Sequence, residues 1–331
     1  MRSQILPLDP ATYQPHPLHQ GDRRWLETNC YVDVWIELLH ALGHEPLACM
    51  GFTVRTDLEA DQWTFFKPSH ADIDALFGIE IGELNIWSSL VQQTAAEVTA
   101  GHPVLVELDA WYLPDTRGTT YQTAHSKTTV AVMDIDPDLR RMGYFHSAGY
   151  FALEDHDFDS VFRLDPTRFD ASDLPPYAEL VKTGVGAALH GAALRATAVD
   201  LLRTHVRRAP AVNPFSRYRS RFLADLEAMP DLDADHFHAY AFANCRQIGA
   251  SFELAAAHLD WLGAADGDRP DIGDLAPAVE EFAALSASAK SLQMKAARRA
   301  LAKRAVDPTA DLDTLESAWD RAFAHLRSVL G

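Results

Sequence analysis

The chain contains no run of about 18 uninterrupted apolar residues, the length a helix needs to cross a bilayer. Its best candidate, "VGAALHGAALRATAVDLL", is broken by His190, Arg195 and Asp200. The opening "MRSQILPLDPATYQPHP" lacks the apolar centre of a secretory signal, so no membrane partner and a cytoplasmic location are expected. Cysteine is scarce as well. Cys30, Cys49 and Cys245 are too few and too scattered for a disulfide framework or a zinc knuckle. Basic residues are in deficit, with 29 Lys+Arg against 47 Asp+Glu and a net charge of −18, which argues against a nucleic-acid partner because phosphate binding needs concentrated Lys and Arg. There is no Gly-rich phosphate loop: "GIEIGEL" has neither the spacing nor the setting, and no bound nucleotide or other cofactor is expected. His16 and His19, and the run Asp233, Asp235, His236 and His238, lack distant partners at ligand spacing, so no metal site is expected.

What is present divides the chain in two. Residues 1–165 hold 10 basic against 25 acidic residues, whereas residues 166–331 hold 19 against 22. "NCYVDVWIELLHALG" places Val32, Ile36 and Leu39 at helical spacing and ends on Gly43, suited to a left-handed cap. "HADIDALFGIEIGEL" and "WSSLVQQTAAEVTAG" read as two further helices, the second closed by Gly101. "HPVLVELDAWYLP", "HSKTTVAVMDID" and "MGYFHSAGYFAL" then read as strands, with "PDLRR" as a hairpin turn. Helices followed by an antiparallel sheet is an α+β plan. The proline-bearing "DPTRFDASDLPPYAELVKTG" marks the connection, giving domains at 1–165 and 166–331, the second all-α. There, Phe242, Cys245, Ile248, Phe252, Leu259 and Leu262 recur at helical spacing, making Cys245 a core residue.

Cys30 stands in the first turn of the first helix, in "ETNCYVD". A helix N-terminus favours the thiolate, the nucleophilic form of cysteine, through its unpaired N–H groups and dipole. A thiol nucleophile needs a base near in space, and His125 suits because it opens a strand after the irregular "LPDTRGTTYQTA". Helix-borne cysteine followed by strand-borne histidine is the order of the papain-like plan. That plan sets an Asn or Asp on the next strand to orient the imidazole, but the stretch expected there reads "HSAGY". Ser147 or His146 can accept the imidazole N–H, and Asp109 is the better acid if its strand lies beside that of His125. The Cys30 N–H is the candidate oxyanion donor, with Asn29, Glu27 and Trp25 shaping the approach. Arg24 occupies the place where papain-like enzymes often carry a glutamine, a departure from the pattern.

The segments "ETNCYVDVWIELLHALGHEPLA", "DQWTFFKPSHADIDALFGI", "PVLVELDAWYLPDT", "HSKTTVAVMDID" and "MGYFHSAGYFALE" together resemble a bacterial family described as a domain of unknown function, over most of the chain. More distantly, "VELDAWYLP" followed by a strand-opening histidine is similar to the butirosin-biosynthesis acyltransferase family, over residues 25–150. The second resemblance implies a papain-like catalytic domain that takes an acyl group from the phosphopantetheine thioester of a carrier protein. It makes Cys30 the nucleophile and His125 the base.

Further residues carry a functional and a structural reading side by side. Trp63 in "DQWTFFKPSH" either lines a cleft for a pantetheine arm or acceptor, or joins an aromatic core with Lys67 exposed. Trp111 and Tyr112 precede the loop to His125 and are candidates for the cleft. Lys127 shares a strand face with His125 and either binds an anionic group or pairs with a nearby acid. Lys295, Arg299 and Lys303, at four-residue intervals with Arg298 beside them, form a positive helical face, either solvated or a dock for an acidic carrier protein. The leading expectation is a cysteine acyltransferase delivering an acyl or aminoacyl group to a small-molecule amine or hydroxyl acceptor. Its rivals are a cysteine amidase, peptidase or thioesterase on the same fold, and a non-catalytic binding protein on a papain-like scaffold.

Overall fold

The computed structural model describes residues 2–21, 23–27, 29–165, 167, 176–264 and 272–330. In chain order the strands are β1 (Ser3–Gln4), β2 (Leu58–Glu59), β3 (Gln62–Trp63), β4 (Glu80–Glu83), β5 (Val104–Asp109), β6 (Lys127–Asp136), β7 (Arg141–His146), β8 (Gly149–Glu154) and β9 (Ala178–Lys182). The helices are α1 (Cys30–Ala41), α2 (His70–Phe77), α3 (Leu90–Thr99), α4 (Asp155–Val161), α5 (Gly191–Arg208), α6 (Pro214–Ala228), α7 (Ala234–Ala241), α8 (Gln247–Gly263), α9 (Ala276–Ala302) and α10 (Thr309–Leu330). The fold is mixed α+β, with an antiparallel sheet and a helical C-terminal region.

Two compact units interleave along the chain. The first comprises residues 1–21, 29–46 and 73–188, and the second residues 22–28, 47–72 and 189–331. The first unit therefore runs past residue 165, because β9 pairs with both β4 and β5 and is held in the sheet. Most of the proline-bearing connection lies outside the described residues. The second unit also takes in residues 47–72, which the sequence pattern assigns to the first domain.

In the first unit the strands run in the order β4-β9-β5-β6-β7-β8, with β1 pairing beyond the end of β5 on β6, and all pairs are antiparallel. Val104, Val106, Leu108, Val130, Val132 and Tyr144 point to one face and pack with Leu90, Val91 and Val98 of α3 and Phe158 and Val161 of α4. The opposite face carries Leu105, Glu107 and Asp109 of β5, Lys127, Thr129 and Ala131 of β6, and Glu179 of β9, as the strand period and register dictate. Helix α1 lies against this second face, with Tyr31 Oη donating to Glu179 at 2.7 Å.

The "GIEIGEL" end of the second expected helix is strand instead. Gly78, at φ 62°, ends α2, and a Cβ there would meet the Gly186 backbone at 2.4 Å, so only glycine lets these two segments touch. The "MGYFHSAGYFAL" run is a tight hairpin of β7 and β8 that turns at 147–148.

In the second unit, α8, α9 and α10 pack along one another through Phe252, Phe282, Trp319 and Phe323. Cys245 is fully buried, and burial pushes its thiol up to about 12. Phe242, the first residue of the same helical spacing, is 46% exposed. It opens a π-helical turn over 242–246, and the extra residue rotates it off the buried stripe that Cys245 and Ile248 continue.

Candidate functional site

Helix α1 begins where Asn29, in extended backbone, turns its side-chain oxygen onto the Val32 N–H at 2.9 Å. Asn29 is therefore a buried helix cap rather than a residue lining an approach. Cys30, free and half-buried, is the first helical residue, and its Sγ lies 3.8 Å from Thr129 Oγ1 on β6. That contact places the thiol on the sheet face shared by Glu107, Asp109 and Lys127.

Two residues before β6 begins, His125 Nδ1 lies 2.6 Å from Asp109 Oδ2 at the end of β5. The other carboxylate oxygen of Asp109 accepts the Ser126 N–H at 3.2 Å and the Trp111 N–H at 3.0 Å, so the acid is fixed by the backbone on either side. The Trp111 indole stacks on the imidazole, centroids 4.4 Å apart and planes 11° from parallel. His125 remains largely exposed, and its Nε2 makes no hydrogen bond among the described residues. Between this pair and Thr129 sits Lys127, whose Nζ reaches Glu107 at 2.6 Å.

The structure does not bring Cys30 and His125 into hydrogen-bond contact. Thr129, which the thiol touches, is four residues further along the strand from His125, up to about 13 Å of extended chain. His146 and Ser147 do not orient the imidazole either. His146 points to the opposite sheet face, with Nδ1 2.5 Å from Asp115 Oδ2 and Nε2 2.8 Å from Thr128 Oγ1. Tyr144 Oη donates to the same Asp115 at 2.5 Å, so this cluster ties the segment after β5 to the underside of the sheet. Ser147, at φ 45°, is a turn residue of the β7–β8 hairpin. Both were expected near His125 on the assumption that β7 runs past it. In fact β7 ends at His146, and a register shift between Val132 and Asp134 alters the pairing.

Trp25, Glu27 and Trp63 belong to the second unit. Trp25 is buried there, its Nε1 donating to Ser286 Oγ at 3.1 Å under the Lys290 ammonium. Glu27 is exposed, and its carbonyl accepts from Arg246 at 2.5 Å. Trp63 packs edge-on against Tyr218, with centroids 5.2 Å apart, and also against Phe215. Tyr112 is half-buried against the core of the first unit. The expected basic dock is largely committed internally: Lys295 pairs with Asp311 at 2.6 Å, Arg299 donates to the Leu226 carbonyl at 3.2 Å, and Lys303 bonds the Pro230 carbonyl. Arg298 alone of the four stays exposed without such a bond.

One cluster escaped the sequence reading. His19 is fully buried between two carboxylates of α1, Nδ1 on Glu37 and Nε2 3.2 Å from Asp33 Oδ1. Tyr13 Oη donates to the other oxygen of Glu37 at 2.5 Å. Burial opposes charge on the ring, but the two acids outweigh it and push His19 up to about 9. The signal was available: Asp33 and Glu37 sit one turn apart in an otherwise apolar helix. No group of three or more His, Cys, Asp or Glu side chains among the described residues is arranged to hold a metal ion, and no described helix is long and apolar enough to cross a membrane.

The molecule is thus an α+β protein whose sheet unit presents a free thiol at a helix N-terminus and a histidine–aspartate pair on one face. The chain belongs to the DUF1839 family: the DUF1839 N-terminal domain matches residues 14–183 and the DUF1839 C-terminal domain residues 191–328. A search of curated proteins found no match.

Proposed function

We propose that the chain is a papain-like cysteine acyltransferase, taking an acyl or aminoacyl group from a carrier-protein phosphopantetheine thioester onto Cys30 and passing it to an amine or hydroxyl acceptor. The observation that carries this reading is the placement of the Cys30 thiol and the Asp109–His125 pair on the same face of one sheet. In the first half-reaction the Cys30 thiolate attacks the thioester carbonyl, the pantetheine sulfur leaves, and it takes up the proton that the Cys30 thiol gave up. A thioester is already activated, cysteine is intrinsically nucleophilic and the helix N-terminus favours its thiolate, so this exchange depends less on an imidazole at the sulfur than peptide cleavage does. In the second half-reaction the acceptor attacks the acyl-Cys30 carbonyl, its proton passes to His125 Nε2, and the Cys30 sulfur leaves. Asp109 on Nδ1 sets the tautomer that keeps Nε2 an acceptor. The Cys30 N–H, in the first turn, is the oxyanion donor.

The test is intact-protein mass spectrometry of wild type and Cys30→Ser after incubation with aminoacyl carrier-protein thioesters. A mass gain on wild type that is absent from the variant is expected; no gain with any thioester, together with slow alkylation of Cys30, overturns the reading. Release of free acid without an acceptor would identify a hydrolase instead. The thiol bonding to Thr129 rather than to an imidazole favours a second reading, a binding protein on the same scaffold. That reading requires Cys30 to alkylate no faster than an ordinary exposed thiol.

A further inference from the structure

A cavity of about 490 Å³ in the second unit is used by nothing above. Its walls come from residues 52–67 and from the end of α5. Phe52 and Phe66, both buried and stacked with centroids 6.2 Å apart, form an apolar floor, and Phe65 stands beside them 54% exposed. Arg55, Lys67 and Arg208 supply positive charge around this floor, with Asp57 and Glu59 on the same lining. Asp57 is already engaged, by Arg217 at 3.0 Å and by the Leu58 N–H at 2.7 Å.

Arg55 and Arg208 make no ion pair among the described residues. Elsewhere in the unit Arg217, Arg219 and Arg221 are all paired, with Asp57, with Asp313 and Glu316, and with Asp61 and Asp225, while Arg207 beside Arg208 bonds only the Thr204 hydroxyl at 3.0 Å. Both unpaired guanidinium groups line the same concave surface, beside the exposed Phe65 ring. Guanidinium groups bind phosphate through paired N–H donors, and an exposed aromatic ring beside them offers a flat apolar surface. The volume falls within the range of small-molecule sites.

We infer that this cavity binds an organic phosphate, the phosphate between Arg55 and Arg208 and the apolar or planar portion against Phe65. Side-chain guanidinium groups take the role that a Gly-rich loop plays elsewhere, so the lack of such a loop does not bear on it. The inference is independent of the acyl-transfer reading, since none of these residues takes part in that chemistry.

Titration calorimetry on the full chain tests it with inorganic phosphate, phenyl phosphate, phenol, AMP and 4′-phosphopantetheine. Phenyl phosphate is expected to bind at least about tenfold more tightly than either phosphate or phenol. Arg55→Gln and Arg208→Gln should each weaken every phosphate ligand by about tenfold or more, whereas Phe65→Ala should weaken phenyl phosphate and leave inorganic phosphate unchanged. AMP against phosphopantetheine distinguishes a nucleotide from a pantetheine source. The lack of ion pairs at both arginines means the variants should keep the wild-type unfolding midpoint, which is measured alongside. Failure of every phosphate ligand to bind at about 1 mM, or binding unchanged in the folded double variant Arg55→Gln/Arg208→Gln, overturns the inference.

Discussion

His125 lies flat against Trp111, ring centroids 4.4 Å apart at an interplanar angle of 11°, while its Nδ1 is held by Asp109 at 2.6 Å. An exposed imidazole is thereby fixed in plane by a stacking partner and in tautomer by a carboxylate. If His125 takes the acceptor's proton, Asp109→Asn and Trp111→Ala should slow transfer to the acceptor by about 10 to 1000-fold. Formation of acyl-Cys30 should be little affected. Single-turnover mass spectrometry separates the two steps, and equal slowing of both would place His125 on the thiol instead.

The His19 pair links stability to alkaline pH. The histidine is raised to about 9 in the folded chain, against about 6.5 when unfolded. Its stabilising contribution is therefore complete below pH 6.5 and drains away as pH rises towards 9. Urea midpoints measured from pH 6 to 10 should fall across that window. Glu37→Gln, which removes one of the two acids, should flatten the slope and cost on the order of 3 kcal/mol at neutral pH.

His258 works in the opposite direction. It is fully buried, its Nδ1 donates to the Leu47 carbonyl at 2.7 Å, and burial lowers it to about 4. Its neutral form is compatible with the fold above pH 6.5, and that stability is lost as pH falls through this window to about 4. His258→Gln should flatten the acid limb of the urea midpoint between pH 6.5 and 4 while leaving the alkaline limb in place. An unchanged acid limb would assign acid sensitivity to the carboxylates.

Gly249 sits beneath Trp25, and a Cβ at that position would lie 2.2 Å from the indole ring. The ring is buried and its N–H is committed to Ser286, so it has nowhere cheap to go. Gly249→Ala should destabilise the chain by about 1–3 kcal/mol in urea unfolding, whereas Gly263→Ala, with nothing within 4 Å of its Cβ, should be tolerated.

The local elements were largely legible because they rest on short-range rules. Apolar spacing and glycine caps mark α1, α3 and the helical second half, and alternation with turn residues marks β5 to β8. Even the Asp109–His125 contact follows once the two strands are taken as neighbours. The exposure of Phe242 was not legible because a π-turn shifts helical phase without a sequence mark, and "GIEIGEL" reads as helix because a short apolar run suits strand or helix equally until β9 arrives to pair with it.

Local sequence rules were enough to put Cys30 at a helix start, to put His125 just ahead of a strand, and to send Lys127 and Thr129 to one face of that strand. Folding supplied what the condition on Asp109 needed, the pairing of β5 with β6, and it set Thr129 against the thiol and made Trp25 and Trp63 packing residues of the other unit. For the imidazole the cause is strand pairing: the unbroken β5–β6 register sets Asp109 beside His125, while the early turn after His146 stops β7 short of it, and local propensity carries no information about either pairing.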